Sequence, residues 1–190
     1  MTPDTIVFDI ETQNFFTDPE VGWNNYDALR LSVLGVYSYA QGKYLCFEEQ
    51  ELREALPIFE GSGQLVGFSI SRFDIPILNR YFQKIEPNFN LFDKQRLDLL
   101  DEIEMTTGRR VSLERLAQAN LGRGKSGQSF EAGGLFAEGR MEELKAYCLK
   151  DVEITRALYE QYKKEGYLWI PDWLSDKLVK VEFRRGLFAL

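Results

Sequence analysis

The segment Thr5-Ile-Val-Phe-Asp9-Ile-Glu11 constrains the fold more than any other part of the chain. It is β-branched and aromatic, lies between Pro3 and the polar Thr12-Gln-Asn, and reads as a buried central strand. It ends in acids. Side chains at i and i+2 of a strand share one face about 7 Å apart, so Asp9 and Glu11 set two carboxylates side by side at the edge of a core. That pair is costly to desolvate unless protons or cations compensate. Hard divalent cations such as Mg2+ and Mn2+ suit carboxylate oxygens. In a chain with 30 acidic residues, a solvated strand end is the ordinary alternative.

Beyond the first strand the sequence alternates between strand-like and helical periods. The segment Phe15 to Leu29 is polar and aromatic without periodicity and reads as an ordered loop overhanging the acidic strand end. Leu31 to Tyr39 and Lys43 to Phe47 read as a hairpin turning at Gly42. Glu49 to Phe59 carries Leu52, Ala55, Leu56 and Phe59 at helical spacing. A strand at Gln64 to Ile70 leads to Asp74-Ile-Pro76, with Pro76 suited to a first helical turn and the helix expected over Ile75 to Lys84. Ser112 opens a helix that Gly122 stops. Residues 122–139 are glycine-rich and read as a flexible loop, and a long helix is expected from about Met141 to Lys164. The segment 166–190 is aromatic but shows no assignable pattern. Strand, hairpin, then alternating strands and helices predict an α/β fold with a mixed central sheet flanked by helices, in a single domain spanning 1–190.

Composition narrows the chemistry. The 190 residues contain no histidine, which removes the commonest general base and transition-metal ligand. Cys46 and Cys148 have no neighbours at metal-ligand spacing, so zinc is not expected and both thiols read as reduced core residues. With 23 basic and 30 acidic residues the formal charge is −7, so contact with a polyanion would have to be local or helped by cations. The N-terminus shows no basic-then-apolar export pattern and no apolar run reaches membrane-spanning length, so a cytoplasmic protein without membrane contact is expected.

Besides Asp9-x-Glu11, three features bear on function, and each also has a plain structural explanation. Asp74 comes after Phe73 at a strand-to-helix junction, where an N-cap would also be an acid. Tyr147 and Asp151 lie one turn apart on one helix face, where an amphipathic boundary would also put them. Asp98 is a lone acid in Arg96-Leu-Asp98-Leu-Leu.

In this order, Asp9-x-Glu11, Phe73-Asp74 and Tyr147-x-x-x-Asp151 resemble the three motifs of the DEDD exonucleases of the ribonuclease H-like fold, in the branch with tyrosine in the third motif. Over residues 5 to 165 the chain looks most like the exonuclease domain of family B DNA polymerases. The resemblance implies a ribonuclease H-like fold and a 3′-5′ exonuclease that releases nucleoside 5′-monophosphates from single-stranded or frayed ends, with DNA the expected substrate. It implies two divalent cations, Mg2+ or Mn2+. Asp9 would bridge them, Glu11 and Asp151 would complete one ion's site, Asp74 would support the other, and Tyr147 would orient the attacking water. The family's other branch uses histidine there, which this chain lacks. Ser69 stands where the second motif usually has Asn, which puts the grip on the 3′ end in question. Ser69, Phe73, Thr12 and Lys125 are the substrate-binding candidates, with Asp98 a secondary acid. Arg109, Arg110 and Arg123 join Lys125 as phosphate contacts or as solvated loop charges, and Phe15, Phe16, Trp23 and Tyr26 either stack on bases or pack the loop. A polymerase or helicase would be a separate partner chain. A different class also fits: a scaffold or nucleic-acid-binding module that kept the fold and lost turnover.

Overall fold

The computed structural model describes residues 3–122, 129–172 and 177–183. The strands and helices are β1 (Asp4–Thr12), β2 (Leu31–Ser38), β3 (Lys43–Glu48), α1 (Leu52–Glu60), β4 (Ser62–Gly67), α2 (Asp74–Ile85), β5 (Gln95–Asp98), α3 (Leu99–Thr107), α4 (Leu113–Leu121), α5 (Ser129–Ala137), α6 (Met141–Glu165), β6 (Tyr167–Pro171) and β7 (Leu178–Glu182). The main sheet has the order β3-β2-β1-β4-β5. β1, β2 and β3 run antiparallel, as the hairpin pattern requires, and β4 and β5 run parallel to β1. The result is the mixed α/β sheet expected from the sequence, with the acidic strand at its centre. Among the described residues no helix is long and apolar enough to cross a membrane.

The two faces of β1 obey its alternation. Ile6, Phe8 and Ile10 enter one core with Phe59 of α1 and Phe82 of α2. Val7 enters the opposite core with Val152 and Leu158 of α6. Period two therefore turns Asp9 and Glu11 toward α6, where Asp151 is carried. Close approach of α6 depends on Gly35, which sits opposite Asp9 in the β1–β2 register. A Cβ at Gly35 would lie 2.9 Å from Cys148 Sγ and 3.0 Å from Val152 Cγ2. The missing side chain is what lets the helix backbone come down on the sheet.

One segment differs from the sequence expectation, and two that carried no assignment take definite form. Residues 129–137 form helix α5 rather than a flexible loop. Glycines weaken a helix locally, but Gly133 serves packing: a Cβ there would lie 2.4 Å from the Phe15 ring. The apolar stretch at Leu97–Leu100 is a strand-to-helix junction, with β5 ending at Asp98 and α3 starting at once. The unassigned C-terminal segment contributes a two-stranded antiparallel sheet, β6–β7, whose Leu168, Ile170 and Val181 pack into the α6-side core. Asn120 of α4 seals one edge of it, accepting from Trp169 N at 2.8 Å and donating to Trp169 O at 2.8 Å.

Adding a methyl at Gly35 overpacks the α6–sheet contact. Gly35→Ala is expected to lower the unfolding free energy in a urea titration by roughly 1–3 kcal/mol. A neutral or stabilising result would contradict the packing described.

Candidate functional site

β1 projects past the end of β4, whose pairing with it stops at Val7–Val66. The Ile10 N–H left over at this end donates to Asp74 Oδ1 at 3.0 Å. Asp74 thus enters the site as the first residue of α2, with Phe73 at the N-cap position and no side-chain cap. The residue is 3% exposed. Burial pushes its pKa up to about 7; the Ile10 N–H opposes the shift and the nearby Asp98 charge adds to it.

Asp9 and Glu11 of β1 meet Asp151 of α6. One carboxylate oxygen from each lies within 4.8 Å of the others. With Asp74 they line a cleft of about 710 Å³ that also includes Ser69, Phe73, Leu100, Arg110 and Leu113. Its acidic residues come from β1, α2 and α6, and further lining comes from residues 110–114 at the α3–α4 connection and the start of α4. Cys148, on the same helix just before Asp151, holds α6 against β1: its Sγ is 3.5 Å from the Asp9 carbonyl oxygen and 3.9 Å from Asp9 Oδ2. Burial first, and then the charges of Asp9 and Glu11, push this thiol well above its usual range, so it serves as packing and as a weak donor.

Asp98 is a knot in the backbone. Its Oδ1 accepts from Ser69 N at 2.7 Å, Leu100 N at 3.0 Å and Asp101 N at 3.4 Å, and its Oδ2 from Ser71 N at 2.9 Å. One buried carboxylate therefore caps α3 and also holds the turn that delivers Asp74. Ser69 lies in that turn with φ of +67°, a region in which Asn and Gly are the usual residues. The Asp98 contacts offset that strain.

The remaining residues expected at the site divide between the cleft and its surroundings. Ser69 and Phe73 line the cleft. Tyr147 does not line it; its ring is largely buried with Val33, Ala132, Leu144 and Cys148, on the α6 face that carries Asp151. Thr12 is buried beyond the cleft and donates to the Asn14 carbonyl at 2.9 Å. Arg110 lines the cleft, whereas Arg109 pairs with Asp172 at 3.7 Å. Lys125 and Arg123 lie outside the described residues. Phe15 packs on Gly133. Phe16 meets Tyr26 and Phe73 edge-on, with ring centroids 5.0 and 6.1 Å apart. Trp23 is 77% exposed. The wall formed by Leu100 and by Val111 to Glu114 has no chemical signature in the sequence; only the Ser112 cap placed its helix.

Among the described residues the donor set of the acidic cluster consists of carboxylates, which suits hard divalent cations. A buried carboxyl at Asp74, costly to ionise by itself, fits a site completed by cations.

Comparison with known proteins gives two findings. The family model of the RNase_H superfamily matches residues 6–163. Among solved structures, a family B DNA polymerase from the hyperthermophilic archaeon Pyrobaculum calidifontis matches with a TM-score of 0.61 and 17% identity, over 86% of this chain and 25% of the polymerase. That similarity is one of fold, and the chain spans about a quarter of the polymerase's length. No curated protein matches the sequence.

Because Asp74 has a raised pKa in the fold and an ordinary one near about 4 when unfolded, its protonation stabilises the fold at low pH. That contribution is fully present below the unfolded value and is lost as pH rises through about 7. In protein stripped of divalent cations, Asp74→Asn is expected to be stabilising relative to the parent at pH 8 and not at pH 4. Denaturant midpoints at the two pH values check this, and parallel curves for the two proteins would contradict it.

Proposed function

The chain belongs to the RNase_H superfamily, and from that premise we propose that it is a divalent-metal-dependent 3′-5′ exonuclease acting on single-stranded or frayed DNA ends. The observation that carries the reading is the convergence of Asp9, Glu11 and Asp151 oxygens within 4.8 Å beside the buried Asp74 in one open cleft. Asp9, Glu11, Asp74 and Asp151 are the residues that would hold two Mg2+ or Mn2+ ions. When bound, such ions neutralise charge on the scissile phosphodiester, promote ionisation of water and stabilise the departing oxygen. The protein contributes rigid placement: β1 supplies two ligands on one face, the Asp98 knot sets the turn leading to Asp74, and α6 brings Asp151 against β1.

By its resemblance to the third motif, Tyr147, one helical turn before Asp151 and outside the cleft lining in this structure, would orient the attacking water through its hydroxyl. Phe73, Leu100 and Leu113 supply apolar surface for a terminal base and sugar, and Ser69 a short polar contact in place of an amide. The products are nucleoside 5′-monophosphates. A polymerase or helicase chain is the partner class that would deliver such ends.

A 5′-labelled single-stranded oligonucleotide incubated with Mg2+ or Mn2+ is expected to give a ladder shortened from the 3′ end. Single-stranded DNA should be degraded faster than duplex DNA or RNA. Asp9→Ala and Asp151→Ala should abolish the ladder, and Tyr147→Phe should lower kcat by roughly a hundredfold. The absence of a ladder with either metal and all three substrates would overturn the reading in favour of a module without turnover.

A further inference from the structure

The cleft presents a substrate polyanion with an electrostatic problem. Asp9, Glu11, Asp74, Glu114 and Asp151 line it, and the whole chain is negative. Bound divalent cations act on the reacting phosphate, and the other phosphates of a strand need cationic partners elsewhere along the cleft. Among the described residues Arg110 is the one basic side chain lining the cleft. It is exposed and has no ion-pair partner among the described residues, whereas Arg109 is engaged with Asp172 and Arg72 with Asp101 and Glu104. Its backbone is anchored from the C-terminal side: Val111 is 8% exposed, and Ser112 caps α4 by accepting from Arg115 N at 3.3 Å. A charged side chain on an anchored stem, lining the same cleft as the acids, is placed to meet a ligand there.

Building on the nuclease reading, we propose that Arg110 binds a non-scissile phosphate of the single-stranded substrate and thereby positions the strand against the acidic cluster. The guanidinium offers a planar fork that matches two phosphate oxygens. Its contact is independent of base sequence and of the chemical step. It acts on affinity and leaves turnover alone.

The test is fluorescence anisotropy of a labelled deoxythymidine oligonucleotide, titrated in Ca2+ at several salt concentrations, alongside steady-state kinetics in Mn2+. Arg110→Ala is expected to weaken binding about fivefold and to reduce the slope of log affinity against log salt by about 0.7, the loss of one phosphate contact on a single strand. KM should rise by a similar factor with kcat unchanged. Arg110→Lys should keep the slope, and Arg109→Ala should behave as the parent protein. Unchanged affinity and slope in Arg110→Ala, an equal loss in Arg109→Ala, or a parent protein that binds no oligonucleotide would each overturn the assignment. A parent that binds with the Arg110-dependent slope but yields no shortened products would overturn the nuclease reading and leave this assignment standing.

Discussion

Mutual repulsion of carboxylates is the constraint on which the rest of this structure depends. Asp9, Glu11, Asp74 and Asp151 come from three elements far apart in sequence, and none gains by approaching the others in the absence of a counter-charge. They are brought together by apolar packing on either side of them. Val7 and Val152 share one core, Ile10 and Ile75 the other, so the acids lie where two cores meet at the open end of β1. The glycine opposite Asp9 sets how close α6 can come. The fold thus holds four carboxylates at one place through packing on both sides of them.

The backbone shows the same interdependence. β4 is shorter than β1 at this end, and the donor this leaves on Ile10 is taken by Asp74. Four more donors converge on Asp98, which ties the turn before α2 to the start of α3. Unpaired buried donors are destabilising, so Asp74 is fixed by a donor the sheet leaves over, and Asp98 by donors of the turn before α2 and of the first turn of α3. Asp98 and Asp74 nonetheless differ in kind. The first commits both oxygens to backbone donors, and the second accepts from Ile10 N and lines the cleft.

Much of this was legible in the sequence because it rests on local periodicity. Period two in β1 put Asp9 and Glu11 on one face, helical spacing put Tyr147 and Asp151 on one face, and the hairpin at Gly42 gave the antiparallel half of the sheet. What stayed hidden depends on contacts between distant residues. Asp98 reads as a lone acid until the Ser69 turn is folded beside it. Gly133 reads as a helix breaker until the Phe15 ring is set against it. The segment after Gly166 shows no pattern because its two strands are five residues each and one edge is completed by a side chain of α4. Thr12 sits past the irregularity between Glu11 and Thr12 in the β1–β2 register, so counting along the strand from Asp9 does not predict its surroundings.

If the acidic cluster exists to hold cations, calorimetric titration with Mn2+ tests that role most directly. Saturable binding of about two ions per chain is expected, as a two-metal site requires, with the heat lost in Asp9→Asn while the far-UV spectrum is unchanged. A folded protein that takes up no Mn2+, or takes it up equally well without the Asp9 carboxylate, would contradict it.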